Sequence, residues 1–235
     1  MKRHMQKGVL ITFEGIDGSG KSTIAKKVVA RLHDEYDVLL TTEPTHTWIG
    51  NVVRRSTSFD ADPLAEFFLF MADHAEHIAK VVKPALDEGK IIISDRYSDS
   101  RYAYQGVTLA KFAQQVNRFD DPMQWIKMLH EGWTITPNLT FLFIVAPDIA
   151  LNRCNQRSMQ SKSRKDYNSR SFPNCDMSKS KFENLEFLQK VQDNFLKLYD
   201  EEPERFVKVD AEKGIDEIEK EVVGKILKYL RMRGP

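Results

Sequence analysis

The 235-residue sequence predicts a doubly wound α/β fold built on a parallel sheet. Three observations carry that expectation. Five short apolar runs show little polar alternation, the pattern of strands buried on both faces. Stretches with apolar residues at three- and four-residue steps lie between them, as in helices that cover a sheet. The first run ends in a glycine-rich turn that opens directly into a helical pattern.

Taken in order, the first strand is GVLITF at 8–13, and the turn that follows reads FEGIDGSGKST at 13–23. Gly15, Gly18 and Gly20 fall within six positions, a composition that weakens any helix or strand and points to a use for bare backbone. A helix then runs from Lys21 through Ile24, Val28 and Leu32, and the second strand is DVLLT at 37–41. LAEFFLFM at 64–71 sits in a helical context yet is apolar almost all round. It reads as a central core helix, or as a core helix that also meets a second copy or walls a substrate site. The third and fourth strands are KIIISD at 90–95 and LTFLFIV at 139–145.

The rhythm breaks at 157–181, which has almost no apolar periodicity. Between Arg153 and Arg170 six basic residues (Arg153, Arg157, Lys162, Arg164, Lys165, Arg170) face one acid, Asp166. A solvated loop has that composition, and so does a lid that closes over an anion. Helical spacing returns with Phe182, Leu185, Leu188, Val191, Phe195 and Leu198. The last strand is RFVKVD at 205–210, and a closing helix carries Ile215, Ile218, Val222, Ile226 and Leu230. Residues 1–235 are expected to form one domain, with the lid at about 157–181.

Composition narrows the function. A formal net charge of +1 argues against a protein that binds nucleic acid polymers, which usually carries a basic excess. The opening MKRHMQKG is too short and polar for a signal peptide, and no run approaches eighteen apolar residues, so neither secretion nor a membrane span is expected. Cys154 and Cys175 form no motif, which suggests a reducing cytosol and a cytoplasmic protein.

Gly15-Ile16-Asp17-Gly18-Ser19-Gly20-Lys21-Ser22 matches the phosphate-loop pattern G-x-x-x-x-G-K-[ST] in full, between a strand and a helix as the pattern requires. The glycines let successive N–H groups point inward at phosphate oxygens, where a Cβ would clash. The helix N-terminus adds a positive dipole end. Lys21 is expected on the β- and γ-phosphates, and the Ser22 hydroxyl on Mg²⁺. No Asn/Thr-Lys-x-Asp guanine-reading motif is present. A short chain with one such loop and a basic segment suggests an ATP-dependent kinase for a small acceptor.

FEGIDGSGKST resembles the P-loop of thymidylate kinases, and so does the block DRYSDSRYAYQG at 95–106, which is similar to that family's D-R-Y-x-x-S-x-x-A-Y-Q-G. Thr42-Glu43-Pro44, Phe70-Met71-Ala72-Asp73, Pro137-Asn138-Leu139-Thr140 and FENLEFL at 182–188 echo the family in its order from about residue 8 to 230. The resemblance implies a five-stranded parallel sheet of the P-loop kinase fold, phosphorylation of dTMP to dTDP by ATP and Mg²⁺, and a homodimer. It also implies roles. Gly15 to Thr23 would cradle ATP, with Arg153 near adenine. Ser22 and Asp95 would hold Mg²⁺, while Lys21, Asp95, Arg96, Arg157 and Arg164 would serve the transfer. Arg96 would grip the monophosphate and Asp17 would sit near the 3′-hydroxyl. Phe70 would stack on the base, and Tyr104 would crowd a 2′-hydroxyl. Glu43, His74, Ser100, Arg101 and Gln105 complete the expected acceptor site. Gly18 after Asp17, paired with a basic lid, fits a variant of the family pattern.

A phosphate acceptor with a second pKa of about 6 is already ionised near neutral pH, so alignment and charge neutralisation suffice without a general base. Two positions depart from the family. His74 stands where an arginine usually donates to the base, and Arg101 stands where a small polar or amide residue is frequent. An imidazole lacks the guanidinium's charge and fork, and an arginine has no acceptor to offer. Those changes leave dUMP or dCMP as alternative acceptors, and a non-catalytic nucleotide-binding paralogue as a more distant alternative. Asn138 and Ile144 replace acids common in the family, with structural consequences expected. His74 and His77, one turn apart, lack a third ligand at metal spacing and read as pocket wall or solvated face.

Overall fold

A computed structural model of the chain describes residues 7–59, 61–110, 112–113, 121–163 and 184–233. Five strands form within one residue of their expected places: β1 (Val9–Glu14), β2 (Val38–Thr42), β3 (Ile91–Asp95), β4 (Leu139–Ile144) and β5 (Phe206–Asp210). All pair in parallel, in the order β2-β3-β1-β4-β5. β1 is buried along its whole length, and Phe13 meets Phe141 and Phe143 at ring distances of 5.4 and 5.3 Å. Edge position explains where the expectation of two buried faces fails. β2 is only half covered, with Leu40 38% exposed, and in β5 only Phe206 and Val209 are buried.

Parallel pairing aligns the strand ends. Phe13 and Thr42 are both in register with Asp95, and Phe13 also pairs with Phe141. The chain turns outward in both directions from β1, so the carboxyl ends of β1 and β3 flank the switch point where such sheets bind ligands.

Helices cover both faces: α1 (Lys21–Leu32), α2 (Trp48–Ser56), α3 (Pro63–His77), α4 (Lys83–Asp87), α5 (Ser98–Thr108), α6 (Pro122–His130), α7 (Pro147–Ser163), α8 (Leu185–Glu201) and α9 (Ile215–Arg233). Their starts are written in the sequence. Thr47 accepts from Gly50 N at the head of α2, Asp62 from Leu64 N and Ala65 N before Pro63, and Asn184 from Glu186 N and Phe187 N. Most of the expected stripes face inward, with Leu188, Val191, Phe195 and Leu198 buried on α8 and Ile218, Val222, Ile226 and Leu230 on α9. Leu185 and Ile215, each the first residue of its helix, are exposed, and Phe182 lies outside the described residues. A buried ion pair ties α5 to β5: Arg205 donates to both carboxylate oxygens of Asp99, at 2.7 and 2.8 Å.

Two expectations need correction, and a third holds. The apolar segment 64–71 is not buried all round. In α3 Phe67 is fully buried and Phe70 half-buried, while Phe68 is 53% exposed. Residues 157–163, counted with the lid, continue α7. Ala150 anchors the first half of that helix in the core, and extending a nucleated helix adds a hydrogen bond per residue without needing an apolar stripe. The rest of the lid, with Arg164, lies outside the described residues. Asn138 is structural, as expected: its Oδ1 accepts from Leu10 N and its own N–H donates to Leu10 O, each at 2.8 Å.

Candidate active site

Two cavities of about 200 Å³ each open at the carboxyl ends of β1 and β3. One surrounds the phosphate loop and is lined by Gly18, Gly20, Lys21, Ser22, Thr23, Asp95 and Arg157. The other runs between α5, α2 and α3 and is lined by Phe70, Ser100, Arg101, Tyr104 and Gln105. Asp17, Glu43 and Arg96 line both, so the two spaces meet at a shared wall.

The loop itself is set by glycine. Gly18 and Gly20 have φ of +85° and +91°, which side-chain-bearing residues rarely adopt. A Cβ on Gly18 would stand 2.2 Å from the backbone oxygen of Ala150, so the loop packs directly on α7, whereas Gly20 has open space around it. Lys21, at the head of α1, is 5% exposed and donates to Ile16 O at 2.8 Å and Ser19 Oγ at 3.1 Å. Burial and the nearby Arg96 charge push its ammonium down to about 8.

Arg96 occupies the turn between β3 and α5 with a φ of +72°, the only positive value off glycine among the described residues. Such a conformation costs roughly 1–2 kcal/mol and persists where the surroundings fix it. Arg96 N donates to Phe13 O at 3.0 Å, and Ser94 Oγ donates to Arg96 O at 2.6 Å. Its guanidinium reaches Asp17 Oδ1 at 2.6 Å, Ser100 Oγ at 2.9 Å, Tyr104 OH at 3.2 Å and Gly15 O at 3.3 Å. Burial pushes the Asp17 carboxyl up, but the charges of Arg96 and Lys21 outweigh it and hold the group below its ordinary value. Tyr104 OH donates to Asp17 Oδ2 at 3.2 Å and accepts from Asp17 N at 2.9 Å. Asp17, Arg96 and Tyr104 therefore form one rigid corner.

Eight of the nine residues expected around the acceptor line the second cavity, and His74 is the exception. It is fully buried, with Nδ1 2.8 Å from Glu43 Oε1 and Nε2 2.7 Å from Thr134 Oγ1. Burial, reinforced by Arg101, lowers its pKa to about 4. A short imidazole cannot span the distance a long guanidinium would, and here it retreats to hold Glu43. His77 does the same, 2.6 Å from the same oxygen, and both rings are buried, so the expected solvated face is not what the structure shows. Arg153 Nη1 donates to Ala211 O at 3.1 Å and lies 3.5 Å from Gly18 O, beside the phosphate loop.

Three residues escaped the sequence reading. Arg54 and Thr57 line the second cavity, and Arg54 donates to Pro44 O at 2.7 Å and to Thr45 O. Arg54 follows buried Val53 by one step on α2, so the helical phase of Gly50, Val53 and Ser56 could have placed it at the rim. Glu14 is fully buried, and its Oε1 accepts from Tyr97 N at 2.8 Å while Oε2 lies 2.5 Å from Ser100 Oγ. It acts as the missing side-chain cap of α5, whose own first residues supply none. Burial, with Asp99 second, pushes its pKa up to about 8.

A model of the family described as thymidylate kinase matches residues 13–222. The chain is 49% identical to a protein named probable thymidylate kinase from Methanosarcina mazei, over 96% of this chain and 98% of that one. It is 50% identical to the protein so named from Methanosarcina acetivorans over the same shares, and 44% identical to that from Halobacterium salinarum over 86% of this chain and 87% of the relative.

Proposed function

This chain belongs to the thymidylate kinase family, and from that premise we propose that it transfers a phosphoryl group from ATP to dTMP, giving dTDP. The observation that carries the reading is the shared wall: a phosphate-loop cavity and an acceptor cavity meet at Asp17, Glu43 and Arg96. Two anions drawn into those spaces would approach each other there. Transfer between two phosphates then needs positioning and charge neutralisation above all.

In this reading Lys21 would exchange Ile16 O and Ser19 Oγ for triphosphate oxygens, recovering its full charge from a counter-ion. Arg96 would hold the acceptor phosphate with Arg54 and Ser100 near it, and Asp17 would face the sugar. Tyr104, fixed by Asp17 and Arg96, would leave no room for a 2′-hydroxyl, and Phe70 would stack on the base. Arg157 and Arg153 on α7 would approach the donor, with Arg164 completing the expected basic lid. Ser22 and Asp95 would hold Mg²⁺. Both line the phosphate cavity, and Asp95 Oδ1 is buried without a hydrogen-bond partner among the described residues, which suits a hard cation. When bound, that ion supplies neutralising charge to phosphate oxygens.

A single domain, a homodimer and a cytoplasmic location belong to the same proposal. Exposed Trp48, Phe59 and Phe68 on and around packed α2 and α3 support pairing with a second copy. Among the described residues no helix is long and apolar enough to cross a membrane. The reading is tested by following ADP release from ATP with dTMP, dUMP or dCMP beside an acceptor-free blank. Turnover highest with dTMP is expected. A strong blank would indicate an NTPase, a preference for dUMP or dCMP another acceptor, and silence with all three a binding module.

A further inference from the structure

The acceptor cavity has a chemically one-sided end. Two stripes of α5 line it: Ser100 and Tyr104 continue from Arg96, and Arg101 and Gln105 continue from Tyr97. The first stripe is tied to the phosphate loop, which leaves the second for the far end of the acceptor, where Phe70 lies.

Arg101 is 2% exposed and is fixed on two sides. Nη1 donates to Glu43 Oε2, and Nε donates to His130 Nε2 at 3.2 Å. His130 Nδ1 must carry a proton, because it faces the carbonyl of Ile126 at 2.7 Å, so its Nε2 is an acceptor. Burial, with Arg101 next, pushes His130 down to about 3, which keeps it uncharged. Glu43 is in turn gripped by His74 and His77 through Oε1, and the outer nitrogens of those rings meet the hydroxyls of Thr134 and Thr41, each at 2.7 Å. Burial pushes the Glu43 carboxyl up, yet Arg101 and His74 outweigh it and hold the group ionised.

In and beside this cluster two buried hydrogen-bonding atoms are left over, Tyr97 OH and one nitrogen of Arg101. Arg101 Nη2 is buried and has no partner among the described residues. Orphaned buried donors are rare, because each forfeits its hydration without compensation. A guanidinium nitrogen donates and never accepts, so what satisfies it must bring an oxygen or nitrogen lone pair.

We infer that Arg101 is the base-selecting residue of this chain: it offers a charged donor to the 4-carbonyl oxygen of a pyrimidine and turns away a 4-amino group, while Glu43, His74, His77 and His130 are positioning residues that hold it. The inference deepens the kinase reading above and rests on it. A 4-keto base supplies the missing acceptor. A 4-amino base sets N–H against N–H and leaves Nη2 unpaired. The 5-methyl group plays no part, so dTMP and dUMP are alike to Arg101.

The test compares kcat/KM for dTMP, dUMP and dCMP in the full-length enzyme, in Arg101→Gln and in Glu43→Gln/Arg101→Gln. The double variant removes both charges together and so avoids stranding a buried carboxylate. The dTMP-to-dCMP ratio is expected to fall by about 10- to 100-fold in both variants, the range for a hydrogen bond to a charged group, with the dTMP-to-dUMP ratio unchanged. A purely structural role would lower all three acceptors in parallel, and that result overturns the inference. A second measurement needs no variant. The unmodified enzyme should use the dTMP analogue lacking the 4-oxygen at least about 10-fold less well than dTMP, and equal use refutes the assignment. Absence of turnover with every acceptor in the unmodified enzyme would instead refute the kinase reading.

Discussion

Gly18 and Gly20 share a left-handed backbone but differ in surroundings, which separates two reasons for glycine in one loop. Alanine at either position meets the same φ penalty, roughly 1–2 kcal/mol, and the same small gain of about 0.4–1 kcal/mol from a less flexible unfolded chain. At Gly20 nothing lies within 4 Å of the new Cβ, so the account ends there. At Gly18 the Cβ lands 2.2 Å from Ala150 O, 2.7 Å from its carbonyl carbon and 2.9 Å from its Cα. Ordinary contact begins at 3.4 Å, and all three atoms are backbone of α7, which cannot swing aside as a side chain would. The loop must move off the helix or the helix off the loop, an overpacking cost of about 1–3 kcal/mol beyond the shared strain. For a chain of this size that difference lowers the melting temperature by about 2–4 °C per kcal/mol. Gly18→Ala is therefore expected to melt about 2–12 °C below Gly20→Ala when both are heated without nucleotide. Equal melting temperatures would show that the packing of the loop on Ala150 exerts no force, and the reasoning would fail.

The lowered pKa values predict two further results. Lys21 sits at about 8 against 10.5 when unfolded, so between those values the unfolded chain holds more protons and stability rises with pH. An incoming triphosphate should restore the ammonium, so ATP binding at pH 8.5 is expected to take up roughly three quarters of a proton per site, read by calorimetry in buffers of different ionisation enthalpy. Lys21→Met should abolish most of that uptake, and an unchanged uptake would contradict the assignment. His74 and His130 stay unprotonated to about 4 and about 3, while their unfolded values are 6.5. The unfolded chain then binds extra protons as pH falls below 6.5, so stability is full above that value and declines toward pH 4, by up to about 1.4 kcal/mol per pH unit for each ring. His74→Gln should flatten the slope of urea stability against pH by about one such increment, and a slope equal to the parent's would count against it.

Much of the fold was legible because it is governed by local patterns. The strands declared themselves through Val, Leu and Ile runs, and the caps through Thr47, Asp62 and Asn184. The phosphate loop was legible for the same reason, since its geometry is dictated by neighbours in sequence. His74 was misplaced because side-chain reach is a tertiary quantity: sequence gives the helical face, but the depth of the ring depends on Glu43 arriving from β2 and Thr134 from beyond α6. Glu14 was passed over because its partners, Tyr97 and Ser100, stand more than eighty residues away. Edge strands looked like central ones, since apolar content reveals hydrophobicity and not the number of neighbours a strand will have.

Glu14 also explains why the two cavities are linked through so short a path. The residue ends β1, and the phosphate loop begins at the next position. Its carboxyl group reaches across to the first turn of α5 and so fixes the segment that carries Arg96. Arg96 in turn donates back to Gly15 O and Asp17 within the phosphate loop. A closed circuit results, from β1 through Glu14 to α5 and home through Arg96. Because the Arg96 backbone is held in a strained conformation, slack anywhere in that circuit would let it relax toward negative φ and swing the guanidinium off the shared wall. The strain and the clamp are therefore one device, and the rigidity of the wall between the two cavities is the consequence.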